Sequence, residues 1–213
     1  MQQPKIIRVQ GHATVLKNPD TVILSFSILG RDKKYDESIK NVNNRVEILR
    51  NELEKSQVDR TALKTTNFSI NSDFRYDDKT KENIFLGYIC NHALRLELPF
   101  NKKEVGKIID NLAISMSQAE MRISFDVKDK ESLHQEILEK AVLEARNNAG
   151  ILVKSAGVRL GSIVNIEYGW TEIRFQESLS YSANMVCASM ADIEPEDIQG
   201  QDSVTITWEI LEN

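Results

Sequence analysis

Residues Ala119–Gly169 constrain the fold more than any other stretch, because they read strand, long helix, strand without a break. Met121, Ile123, Phe125 and Val127 alternate with Glu120, Arg122, Ser124 and Asp126, the period-two pattern of a half-buried strand. A helix is predicted from Lys130 to Ala156. Asp129 is placed to cap its start, and Gly157 suits a left-handed cap at its end. Its inner face takes Leu133, Ile137, Ala141, Ala145, Ala149 and Leu152, and the repeated alanines let it lie close to its neighbours. Ser162, Val164, Ile166 and Tyr168 then alternate again as a strand.

The flanking sequence extends this pattern. Ile7, Val9, Gly11 and Ala13 alternate with polar residues in a first strand. After the turn signal Asn18-Pro19-Asp20, Val22, Leu24, Phe26 and Ile28 mark a second. A short polar link between two strands predicts a hairpin. Tyr35, Ile39, Val42, Val46, Leu49 and Leu53 step by three and four, which is one apolar stripe on a helix from about Lys34 to Ser56. The stripe resembles a coiled-coil seam, but the flanking strands favour packing on a sheet. Leu63–Phe74 and Ile84–Leu98 read as a second hairpin across the charged loop 77–83. Asn101 and Glu104 fit a helix-capping pair ahead of Val105, Ile108, Ile109 and Leu112. Thr171–Gln201 has no sustained period, and Val204, Ile206, Trp208 and Ile210 form a closing strand.

Hairpins mixed with helical crossovers predict an α+β fold with a mainly antiparallel sheet, two hairpins plus later strands, packed by three helices. The expectation is a single domain over residues 1–213, with a long irregular loop at 171–201. Of the 213 residues, 41% are apolar and 28% charged, which is enough apolar sequence for a core and unlike a disordered chain. The net charge of −5 argues against binding nucleic acid, which needs a basic face to displace counterions. Met1-Gln2-Gln3-Pro4-Lys5 leads straight into a strand, with no leader-like segment and no apolar run near the roughly 18 residues that span a bilayer. The expectation is no membrane span and a cytoplasmic protein as given, or an exported one if a leader has been trimmed.

Candidate chemistry is sparse. Cys90 and Cys187 form no CxxC and no disulfide framework, although two cysteines leave one bridge open. Cys90 and His92 share a strand face, and His12 could complete a metal site with them. The full ligand spacing is missing, so the pattern favours a buried thiol acting as a small hydrophobe and a strand histidine bonded to a neighbour. His134 lies early on the long helix. There is no GxSxG motif, and Gly157-Val158-Arg159-Leu160-Gly161 follows a helix instead of opening one, so it is no dinucleotide fingerprint. Glu194 and Glu196 read as a solvated acidic loop. Gly87 beside Tyr88 reads as close strand packing before it reads as an interface. No catalytic residue, cofactor or metal is expected. The interface candidates are Phe175, Tyr181, Met185 and Met190, apolar anchors of an arm that packs on a neighbouring subunit.

Several segments resemble the SIMPL domain family (domain of unknown function 541). They are Ile7-Arg8-Val9-Gln10-Gly11-His12-Ala13 with Pro19-Asp20, Thr65-Thr66-Asn67-Phe68-Ser69-Ile70 and Leu86-Gly87-Tyr88-Ile89-Cys90-Asn91. The second half adds Ile123-Ser124-Phe125, Ala141–Arg146 and Ser155–Gly161. The resemblance implies a small α+β protein, often bacterial and exported, some relatives being periplasmic antigens that form ring- or channel-like oligomers. It carries over no catalytic residue. The function expected is a non-enzymatic homo-oligomeric scaffold or binding protein, linked to envelope or stress physiology. Two alternatives are a small-ligand binder using a sheet–helix cleft and an unrecognised hydrolase. Self-association is the expected partnership, with room for an unknown protein or small ligand.

Overall fold

The structure is a computed structural model that describes residues 5–115, 120–169, 181–182 and 194–212. The elements run β1 (Ile6–Lys17), β2 (Thr21–Asp32), α1 (Tyr35–Lys55), β3 (Lys64–Asp77), β4 (Glu82–Pro99) and α2 (Lys102–Ser115). They continue β5 (Glu120–Asp126), α3 (Lys130–Ser155), β6 (Arg159–Glu167), β7 (Tyr181–Ser182) and β8 (Ile198–Leu211). The fold is α+β with antiparallel pairing throughout, but the strands form two sheets, ordered β1-β8-β6 and β3-β4-β2-β5-β7. The chain divides into two compact units. The first comprises Met1–Asn18, Val127–Glu177 and Glu196–Asn213; the second comprises Pro19–Asp126 and Ser178–Pro195. Among the described residues no helix is long and apolar enough to cross a membrane.

In the first unit α3 lies on the sheet of β1, β8 and β6. Val9, Ala13, Val15, Val204, Ile206 and Trp208 meet Leu133, Ile137, Ala141, Ala145 and Ala149 in one core cluster. The Asp129 side chain accepts from the Ser132 amide at 2.9 Å, as an N-cap should. Gly157 takes φ +72° at the other end, the left-handed geometry expected of it. The alanine stripe does bring the helix close. A Cβ on Gly11 of β1 would sit 2.8 Å from Ala145 Cβ. The inner face ends on Val153, and Leu152 is 51% exposed, contrary to expectation. Steps of four residues advance the stripe by roughly 40° each on a helix of 3.6 residues per turn, which carries Leu152 off the buried line.

In the second unit α1 and α2 cover a sheet centred on β2. Val42, Val46, Leu49 and Leu53 of α1 share a buried cluster with Leu24, Phe26 and Ile28 of β2, and with Leu94 and Leu96 of β4. This is sheet packing, as the flanking strands imply. Asn101 caps α2, its Oδ1 accepting from the Lys103 amide at 3.1 Å and the Glu104 amide at 3.4 Å. The β3–β4 hairpin forms as predicted.

Three expectations about strands are corrected. β1 and β2 do not make a hairpin: β1 pairs with β8, while β2 is held between β4 and β5. Both edges of β2 are occupied, so no edge remains for β1. The strand β6 is not half-buried. It shifts register against β8 between Leu160 and Ile163 and again between Ile163 and Asn165, which breaks its alternation. The last strand begins at Ile198, inside the stretch expected to be loop. Ile198, Gly200 and Asp202 share a face there with Val204, but glycine and aspartate hide the apolar period.

Candidate functional site

Three side chains from distant parts of the first unit meet at one end of its sheet. His134 is one turn into α3, Tyr168 follows β6, and Asp202 stands on β8 opposite Ala13, a buried inner-face position. The Tyr168 hydroxyl donates to Asp202 Oδ2 at 2.9 Å and lies 2.8 Å from His134 Nε2. Asp202 is only 5% exposed. Its Oδ1 accepts from the Ser203 amide at 2.7 Å, so both carboxylate oxygens have donors. A phenol has one proton to give, and it goes to Asp202. The His134 Nε2 must therefore carry hydrogen and donate to the phenol oxygen. Burial, then the hydrogen bond and negative charge of Asp202, push the Tyr168 pKa up, so the hydroxyl keeps its proton.

A groove of about 500 Å³ opens at the same place, lined by Gln10, Ile166, Glu167, Tyr168, Gly169, Ser203 and Thr205. The register explains its polarity. Gln10 pairs with Thr205 while Val9 pairs with Ile206, so the residues that alternate with the core present amide and hydroxyl groups on the other face. Gln10 Nε2 donates to Ser203 Oγ at 3.2 Å, and Asn165 Nδ2 donates to Glu167 Oε1 at 3.1 Å. Arg8 forms an ion pair with Glu167 Oε2 at 2.5 Å. Such a surface can hydrogen-bond a small polar molecule. Strand residues and the two residues after β6 line it, so it is no sheet–helix cleft.

The sequence-derived candidates fall elsewhere. Cys90 and His92 both lie on β4 in the second unit, whereas His12 lies in the first, its amide donating to Glu144. The Cys90 thiol is buried and its pKa is pushed up by burial, which keeps it from the reactive thiolate form. His92 Nε2 is 2.8 Å from Thr65 Oγ1, its ring meets Phe68 edge-on at 5.2 Å, and its Nδ1 is buried without a partner. Burial, then the charge of Arg50, lowers its pKa. Among the described residues no three His, Cys, Asp or Glu side chains are grouped to hold a metal. Gly87 adopts φ +138°, and a Cβ there would lie 2.9 Å from the Asp32 carbonyl carbon, so the close-packing reading of this glycine stands. Of the arm candidates, Tyr181 contributes backbone to β7 opposite Ile123, while Phe175, Met185 and Met190 lie outside the described residues, and so does Cys187.

Sequence reasoning missed Tyr168 and Asp202 as site residues. The available signal was Asp202 itself, a carboxylate two residues before Val204 on the face that otherwise reads Val204, Ile206, Trp208. A buried carboxylate needs donors, and that need points to a partner.

Two known proteins align with the chain. The 26 kDa periplasmic immunogenic protein of Brucella melitensis biotype 1 is 28% identical over 169 residues, covering 77% of this chain and 66% of the relative. The protein of the same name from Brucella abortus strain S19 gives the same identity and coverage. The family model described as SIMPL, protein of unknown function (DUF541), matches residues 7–208. With its α+β fold and that match over nearly the whole length, the chain belongs to the SIMPL family.

Proposed function

We propose that the protein is a non-enzymatic, self-associating scaffold or binding protein of the cell envelope. The observation that carries this reading is a stripe of aromatic rings on the β3–β4 hairpin. Tyr35 of α1 meets Tyr88 at 5.5 Å between ring centroids, Tyr88 meets Phe85 at 5.3 Å, and Phe85 meets Phe74 at 5.5 Å. Tyr35, Phe74 and Phe85 are all about half exposed, as is Tyr76 nearby. Contiguous exposed aromatic surface is typical of interface cores and uncommon on a surface that meets only water. The periplasmic relatives favour the exported alternative over the cytoplasmic one.

Light scattering on the full chain tests self-association. The expected mass is a multiple of the chain mass, falling in a Phe74→Ser/Phe85→Ser variant. A monomer at every concentration overturns the proposal. Removing Ser178–Met190 asks in the same experiment whether the arm residues contribute.

A second reading is favoured by the groove alone, namely that the protein binds a small polar ligand there. A ligand that binds only the native state must raise the melting temperature. In a thermal-shift screen, a hit whose effect is lost in Gln10→Ala would place it in the groove.

A further inference from the structure

We infer that two copies of this chain join edge to edge through β6, antiparallel and in register about Ile163. The inference rests on the self-association reading and adds to the aromatic stripe a second surface, in the first unit.

Among the described residues no strand pairs with the outer edge of β6. An open edge is a template for another strand, and proteins that do not use one blunt it with charge, proline or β-bulges. β3, at one outer edge of the other sheet, carries Lys64, Asp73, Arg75 and Asp77. On β6 charge is confined to the end residues Arg159 and Glu167, and the bulges flanking Ile163 are the other such device. Leu160-Gly161-Ser162-Ile163-Val164-Asn165-Ile166 contains neither charge nor proline, and Ile163, Val164 and Ile166 are 55%, 51% and 54% exposed. These apolar residues stand at an edge that can still form hydrogen bonds, a combination that fits β-strand addition.

The sequence of the strand selects a second copy as the occupant. A two-fold interface must be complementary to itself. Antiparallel pairing centred on Ile163 sets Arg159 opposite Glu167 of the second copy, and Glu167 opposite its Arg159. Between them Leu160 meets Ile166, Ser162 meets Val164, and Ile163 meets its own equivalent. Opposite charges thus close both ends, and between them the apolar pairs Leu160–Ile166 and Ile163–Ile163 alternate with Gly161–Asn165 and Ser162–Val164. The two register shifts against β8 fall one on each side of Ile163, so they do not break this symmetry. Glu167 also lines the groove, and this pairing brings the second copy's Arg159 to its rim.

Cysteine cross-linking tests the register, in a Cys187→Ser background. Opposed residues in an antiparallel pair have Cα atoms about 4.5–5.5 Å apart, within disulfide reach. Ile163→Cys should therefore form a symmetric disulfide under mild oxidation. Arg159→Cys should not link to itself, because its two copies lie eight residues apart, about 27 Å. Mixed with a Glu167→Cys chain, it should link to that chain. In a second measurement, Arg159→Glu should weaken association about tenfold, since both end pairs become repulsive, and adding Glu167→Arg should restore it. If the chain is oligomeric but Ile163→Cys links no better than Arg159→Cys, or the charge swap restores nothing, the β6 interface is wrong while self-association stands. If light scattering shows only monomer, the self-association reading fails and takes this inference with it.

Discussion

In the second unit the space between helices and sheet is filled by large side chains, with Leu24, Ile28, Leu49, Leu53, Leu94, Leu96, Leu112 and Phe125 all buried. In the first unit the middle of the helix face is Ala141, Ala145 and Ala149, after Leu133 and Ile137, and the strand beneath it carries Gly11 and Ala13. Both lay helix on antiparallel sheet, but one sets the layer spacing with side chains and the other with backbone. The difference predicts opposite sensitivities. A core of large side chains suffers when atoms are removed, because a cavity remains. A core in backbone contact suffers when atoms are added, because backbone cannot rotate out of the way.

The largest effect expected is in the side-chain core. Leu49→Ala should cost about 2–5 kcal/mol, read as a lower denaturant midpoint at unchanged slope. A loss below about 1 kcal/mol would mean that α1 can settle onto β2, and the contrast between the units would be lost. The matching change in the first unit adds one methyl group. Gly11→Ala places a Cβ against the Ala141 carbonyl and the Ala145 amide of α3, and should cost about 1–3 kcal/mol. A neutral Gly11→Ala would show that α3 can lift from β1, and that its alanines report composition and not a fixed spacing.

The same contrast explains what the sequence reveals. The α1 stripe from Val42 to Leu53 and the β4 face at Leu94 and Leu96 are legible because large apolar residues repeat at the period of their element. Alternation states which face of a strand is buried but not which strand lies beside it. Val9 and Ala13 therefore mark β1 correctly while saying nothing of its pairing with β8. The candidate site is less legible still. His134, Tyr168 and Asp202 are spaced 34 residues apart along the chain and no local pattern joins them. They meet only because α3 and β6 return the chain to the end of β8, and that return is a property of topology.

The smallest effects expected separate the units by pH. In the second unit the His92 pKa is lowered from its ordinary 6.5, first by burial and then by Arg50, so the folded state favours the neutral ring. As pH falls below 6.5 the unfolded chain takes up a proton that the folded chain resists. This stabilisation is present above the unfolded value and is lost as pH falls through the folded one. In the first unit the Tyr168 pKa is raised from its ordinary 10.0, so the folded state holds the phenol proton longer. That contribution is intact below 10.0 and is lost as pH rises through the folded value. One proton changes the slope by at most about 1.4 kcal/mol per pH unit. Denaturant unfolding across pH should therefore show a shallower acid limb in His92→Gln, which keeps a polar group beside Thr65. Tyr168→Phe should have a shallower alkaline limb, on top of a uniform loss from leaving Asp202 without its phenol donor. If either variant flattens the limb assigned to the other, the two protons do not report on separate units. The packing contrast would then have no electrostatic counterpart.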